Sequence, residues 1–233
     1  MLYALLKPCA VLLMRWLFDL TSTGRHHVPA TGPVLLVSNH SSVLDPPLVG
    51  GAAARQLSFL AKAELFAIPG FGWLIHRLNA RPLRREGGDA SALREALRML
   101  RESRALLVFP EGTRGPEGAL RAPKAGAGML AVLSGAPVVP VYISGSGQAW
   151  PRGRRLPRRS RVTVTFGPPI VFEARETPAR RERYAEATQA MMAAIARLRD
   201  QVSGTASADR LPLQHVQATG GAGAAAQSPT HNT

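Results

Sequence analysis

A single cysteine, Cys9, stands among 233 residues. That excludes an intrachain disulfide framework and any zinc or iron–sulfur site built on clustered thiolates. Aromatic residues are scarce at 6%, and lysine is scarcer still, with three copies against 26 arginines. The 22 glycines and 19 prolines follow no triplet period, so a collagen-like chain is excluded. No apolar run reaches the ~18 consecutive residues of a clean membrane-spanning helix. Acidic residues are few: 15 face 29 bases, leaving a net charge of +14. A balance of this kind asks for an anionic counterpart such as phospholipid, nucleic acid or an acidic or phosphorylated substrate.

What is present reads as one globular unit with appendages. The apolar content, 45%, is ordinary for a folded domain, and the length suits one domain with extensions. The first twenty residues are mostly apolar but carry Lys7, Arg15 and Asp19. On a helix these three fall within about 120° of one another, which leaves a wide apolar face. Tyr3, Trp16 and Phe18 suit a water–lipid boundary. No small-residue cleavage site follows, so a secretory signal is not expected. The segment reads as an interfacial or shallowly inserted helix, with a tilted span or a helix packed on the core as alternatives. Residues 21–33 read as a turn-like linker.

Beyond it, apolar runs bounded by turn residues recur. The stretches 33–38 (PVLLVS), 56–61 (QLSFLA), 105–109 (ALLVF) and 138–143 (VVPVYI) read as buried strands, and 161–166 (RVTVTF) alternates like a half-exposed one. Helices are expected from Asp45-Pro46, from Asp89 to about Ser103, over about 124–133, and from Thr177-Pro178 to Val202. Strand and helix alternate, which argues for an α/β domain with a largely parallel central sheet flanked by helices. After Val202 the composition turns to Gly, Ala, Ser, Thr and Gln, which cannot bury enough surface to fold. The expected organisation is a membrane-associated helix and linker over 1–24, one domain over 25–202 and a disordered tail over 203–233.

Two polar clusters follow predicted strands, where open α/β sheets bind ligands. The first, Asn39-His40-Ser41-Ser42-Val43-Leu44-Asp45, sets a histidine five residues before an aspartate. A plain helix would hold them apart, but a loop turning into a helix at Asp45-Pro46 brings them together. A carboxylate on one ring nitrogen fixes the tautomer and frees the other nitrogen as a general base. The bland alternative is a helix cap beside a surface histidine. The second cluster, Phe109-Pro110-Glu111-Gly112-Thr113-Arg114, offers a planar guanidinium fork suited to phosphate. It also has a glycine that lets an anion approach the backbone. Its alternative is a turn with a surface salt bridge. Cys9, the only thiol, lies in the apolar N-terminal segment and is not read as a nucleophile.

The segments NHSSVLDP, 69–87 (PGFGWLIHRLNARPLRREG), FPEGTRG and VVPVYI resemble the four ordered blocks of the glycerolipid acyltransferases. By length, the lysophosphatidic acid acyltransferases among them fit best. The resemblance covers about residues 33–172. It implies that His40 is the base and Asp45 its partner. It also implies that Arg85, Glu111, Gly112, Thr113 and Arg114 bind the glycerol phosphate of the acceptor, and that Pro140 shapes its strand. The implied reaction carries a fatty acyl group from acyl-CoA or an acyl carrier protein to lysophosphatidic acid, giving phosphatidic acid at the cytoplasmic face of a membrane. No cofactor or metal is implied, and the thioester donor is a substrate. The chain departs from the family pattern at Arg84, where an acid is common, and at Pro123, where an aromatic often precedes the lysine matching Lys124.

Residues 151–161 hold six arginines and no acid. No aromatic is interleaved with them, which disfavours single-stranded nucleic acid. Anionic headgroups or an acidic carrier protein are the functional readings, and a solvated loop is the alternative. The apolar stretch 65–75 reads as core, with acyl-chain or bilayer contact as its alternative.

Overall fold

In the computed structural model, which describes residues 2–77, 79–83, 88–172 and 180–208, the run VLLVS becomes strand β2 (Val34–Ser38), buried along its whole length. Successive strand side chains point to opposite faces. Val34 and Leu36 accordingly enter one apolar cluster, while Leu35 and Val37 enter another. A strand covered on both faces needs no polar alternation, and none is found here. The runs over β3 (Leu57–Lys62), β5 (Ala105–Val108) and β6 (Val138–Ser144) fit the same rule. In β7 (Thr163–Phe166), Val164 and Phe166 are buried and the threonines are half-buried, as their alternation requires.

Seven strands form one sheet in the order β1-β7-β6-β2-β5-β3-β4, where β1 is Thr21–Thr23 and β4 is Ala80–Leu83. The centre is in parallel register, with Leu35 opposite both Leu106 and Val138. One face is covered by α2 (Asp45–Ala52) and the C-terminal end of α1 (Leu2–Phe18). The other is covered by α5 (Gly88–Arg101), α6 (Gly126–Ser134) and α8 (Arg180–Ala208). Short helices α3 (Ala63–Phe66) and α4 (Phe71–Arg77) follow β3, and α7 (Ser146–Ala149) follows β6.

Strand direction decides which loops meet. β2, β3, β4, β5 and β6 run together, β7 runs against β6, and β1 runs with β7. The starts of β1 and β7 therefore lie on the same edge as the carboxyl ends of β2, β3, β5 and β6. That edge gathers the ends of the two polar clusters, the arginine-rich segment and the C-terminal end of α1.

Five features differ from the sequence reading. Residues 21–33 are not wholly linker. Thr21–Thr23 pairs in register with Thr163, Val164 and Thr165, and Arg25–His27 forms a 3-10 turn. The hydroxyls of Thr21 and Thr163 lie 3.1 Å apart, so this edge strand is held without an apolar run. No structural boundary falls at 24/25, because Phe18 and Leu20 are buried in the domain's core. β4 was unanticipated, since Pro82 disfavours a strand; it survives at the sheet edge, where a missing donor is tolerated. The stretch 65–75 is only partly core: Ile75 is buried, while Leu65, Ile68 and Trp73 are exposed. Finally, α8 continues to Ala208, where Ala206 and Ala208 are strong helix formers among weaker ones. Residues 203–208 are thus helical, and 209–233 lie outside the described residues. Among the described residues no helix is long and apolar enough to cross a membrane.

Candidate active site

Asn39 fixes where β2 ends. Its side-chain amide donates to the Ile143 carbonyl at 2.9 Å, and its carbonyl accepts from the Ile143 N–H at 2.8 Å. The amide thus continues the β2–β6 ladder one residue beyond the strand and holds the next residue, His40, at the sheet's carboxyl edge.

The chain then curls into α2. The His40 ring Nδ1 lies 2.7 Å from Asp45 Oδ2. The same oxygen accepts the Ser41 and Ser42 N–H groups at 2.7 and 2.8 Å. Its place before Pro46 predicts that Asp45 is the helix N-cap, but Leu44 takes that position. Asp45 sits in the first turn and accepts from the loop in front of it. Pro46 and Pro47 occupy first-turn positions where a backbone donor has no intrahelical partner. Asp45 is fully buried, and its Oδ1 has no hydrogen-bond partner among the described residues. The two backbone N–H donors on Oδ2 suit a carboxylate, and facing it Nδ1 carries the proton and donates it. The other ring nitrogen of His40, Nε2, is left for chemistry. The side chain is 18% exposed, which leaves it reachable.

The second cluster is bolted onto the first. Glu111 accepts the His40 N–H on Oε1 and the Arg121 N–H on Oε2, both at 3.1 Å. The Gly115 N–H donates to the His40 carbonyl at 2.7 Å. Phe109 lies flat against the His40 ring, with centroids 4.1 Å apart. Glu111 is buried, and burial pushes its carboxyl above the usual range, opposed by the two backbone donors and by His40. Its two oxygens both brace backbone, one in the loop after β2 and one in its own loop.

Gly112 has φ of +66°, a conformation that favours glycine. A Cβ there would lie 2.8 Å from Lys124 Cε, so the lysine stem runs against this turn. Thr113 is exposed and Arg114 half-buried. The Arg114 carbonyl accepts from the Arg152 guanidinium. Arg85 lies outside the described residues, as do Arg84 and Glu86. Pro140 sits inside β6, opposite Val37.

One carboxylate escaped the sequence reading. Glu117 accepts the Gly145 N–H at 2.8 Å and the Gly147 N–H at 2.6 Å. Burial raises its carboxyl above the usual range, and the Asp45 charge adds to the effect. Through Glu117 the second cluster is tied to the end of β6. Nothing in its local sequence marks it, because its partners lie about thirty positions away.

Beside Phe109 opens a cleft of about 600 Å³ between β5, α5 and α6, lined by Leu60, Leu93, Val108, Met129 and Leu130 and closing at Gly112 and Lys124. Its apolar walls accommodate a hydrocarbon chain.

A family model described as Acyltransferase matches residues 19–144, which include His40, Asp45 and residues 111–114. The chain is 32% identical over 177 residues to a 1-acyl-sn-glycerol-3-phosphate acyltransferase of Streptococcus pneumoniae, covering 73% of this chain and 63% of that protein. It is 40% identical over 113 residues to a lyso-ornithine lipid O-acyltransferase of Pseudomonas aeruginosa, covering 48% and 43% respectively. The crystal structure of the 1-acyl-sn-glycerophosphate acyltransferase PlsC from Thermotoga maritima superposes with a TM-score of 0.70 at 30% identity, over 84% of this chain and 78% of that one. The chain spans about half the length of the curated relatives it matches.

Proposed function

Because the chain belongs to the acyltransferase family, we propose that it moves a fatty acyl group from an acyl thioester to the free hydroxyl of lysophosphatidic acid, giving phosphatidic acid. The observation that carries the chemistry is the 2.7 Å contact between His40 Nδ1 and buried Asp45. In this reading His40 Nε2 takes the proton of the acceptor hydroxyl as its oxygen attacks the thioester carbonyl. The tetrahedral intermediate collapses with loss of thiolate, and the proton on Nε2 passes to the sulfur. Asp45 holds the tautomer and stabilises the transient imidazolium. The thioester is already activated, so transfer is direct and needs no acyl-enzyme.

Arg114, with Arg85 from the second block, holds the acceptor phosphate and so fixes the hydroxyl beside His40, an orientation effect. The cleft beside Phe109 takes a substrate hydrocarbon chain. The donor is acyl-CoA or an acyl carrier protein. The exposed apolar side of α1, with Leu12, Leu13 and Trp16, lies on the membrane surface.

A second reading is the same chemistry on a different lysolipid, supported by the likeness to the lyso-ornithine lipid enzyme. The deciding experiment incubates purified chain with an acyl-CoA and, separately, lysophosphatidic acid, a lyso-ornithine lipid and glycerol 3-phosphate. Phosphatidic acid formed fastest supports the first reading, and preference for the ornithine lipid supports the second. No product from any acceptor, with CoA or carrier-protein donors, rejects both.

A further inference from the structure

Residues 151–161 join α7 to β7 on the sheet edge that carries His40, and they are held in place. The Arg158 N–H donates to the Ala149 carbonyl at 2.8 Å, and Trp150 Nε1 donates to the Arg154 carbonyl at 2.8 Å. Of the six arginines, Arg161 alone forms an ion pair among the described residues, with Asp19 at 3.0 Å. Arg152 and Arg158 bond to backbone carbonyls. Arg154 and Arg155 are exposed cations with no acid against them among the described residues. Between them and Arg158 stands Leu156, 76% exposed.

This loop is continuous with α1. The Arg159 guanidinium lies 4.7 Å from the Trp16 ring centroid, and Trp16 is itself 65% exposed. Leu12, Leu13 and Trp16 share one side of α1, while Met14 and Leu17 pack on the core. The surface therefore combines free guanidiniums, a protruding leucine and an amphipathic indole within one contiguous patch. Guanidiniums alone would suit any acidic partner. An exposed leucine and indole among them suit a surface with anionic headgroups above hydrocarbon.

We infer that the loop over 151–161 is a second membrane-docking element, which binds anionic lipid headgroups through Arg154 and Arg155 and sinks Leu156 below them. It deepens the membrane reading of α1 and does not depend on the acyl-transfer reading. Because Arg152 reaches the Arg114 carbonyl, this contact is made at the rim of the catalytic loop.

The test is sedimentation of the full chain with vesicles of phosphatidylcholine alone and of phosphatidylcholine with phosphatidylglycerol. Each basic residue near an anionic surface strengthens partitioning about five-fold. R154Q/R155Q should therefore bind the anionic vesicles about 25-fold more weakly at low salt, with neutral-vesicle binding unchanged. Leu156→Asp should weaken binding to both. All three side chains are exposed, so melting temperature should hold, and so should turnover on a short-chain acceptor dispersed as monomers. Unchanged anionic-vesicle binding by the double variant, or an equal loss on neutral vesicles, would overturn the inference. Loss of acyl transfer by the wild type would leave it standing.

Discussion

The peptide N–H of His40 donates to a carboxylate oxygen of Glu111, although the two residues are 71 positions apart. The bond joins the loop after β2 to the loop after β5. It sets the height of the histidine relative to the arginine three residues beyond Glu111. Glu111→Gln should uncouple the two loops, since an amide nitrogen must then face either the His40 or the Arg121 N–H. A buried donor left without an acceptor costs about 1–3 kcal/mol. Thermal denaturation should register that loss, and turnover should fall further than acceptor affinity. A variant with native melting and native turnover would dissolve the bracing role.

His40→Ala should lower turnover by about 10²–10⁴, the usual contribution of a positioned base, with the fold retained. Asp45→Asn should also be severe, yet for a different reason. The amide can keep its oxygen toward Ser41, Ser42 and His40, but its nitrogen then sits where Oδ1 has no partner among the described residues. Steady-state kinetics beside circular dichroism separates lost chemistry from lost structure. Near-normal turnover by His40→Ala would rule the mechanism out.

Arg114→Lys keeps the charge and loses the fork. The expected result is a raised KM for the acceptor with donor KM little changed, because a phosphate clamp acts on one substrate only. Initial rates over a grid of donor and acceptor concentrations will separate the two. An effect confined to the donor would place Arg114 on the thioester side of the site.

Glu117 makes a pH-dependent contribution of unusual sign. Burial holds its carboxyl above the ordinary range, so the folded chain takes up this proton more readily than the unfolded chain. The stability it contributes is fully present below the ordinary glutamate value and is lost as pH rises through the raised one. Glu117→Gln removes the titration. The melting temperature of the wild type relative to the variant should therefore rise as pH is lowered from neutral into the carboxylate range. A wild-type melting temperature that falls relative to the variant's over that interval would contradict the assignment.

The sequence reveals elements in proportion to how much apolar surface they bury. Val34 to Val37 and Val138 to Ile143 are visible because both faces of the central strands are covered. Thr21 to Thr23 escaped notice because an edge strand held by threonine pairs has no apolar signature. His40, Asp45 and the 111–114 turn were legible through local spacing and through family resemblance. The bracing was not. Asn39 to Ile143, Glu111 to His40 and Glu117 to Gly147 are tertiary pairings, and nothing in any one segment encodes its distant partner. The exposed side chains of Leu65, Ile68 and Trp73 were equally hidden, since apolar residues in a run do not reveal which of them a core will accept.

The amide bridge from Asn39 to Ile143 spans 104 positions, and it orders events during synthesis. At ~5–20 residues per second, the second partner leaves the ribosome roughly 5–20 s after the first. Until then the strand that carries His40 lacks β6, one of its two neighbours. The pairing of His40 with Asp45 is local and can form early, but the scaffold that aims it cannot. A half-made chain thus carries His40 and Asp45 without the frame that aims them, and the proposed centre is complete only when the middle of the sheet is closed.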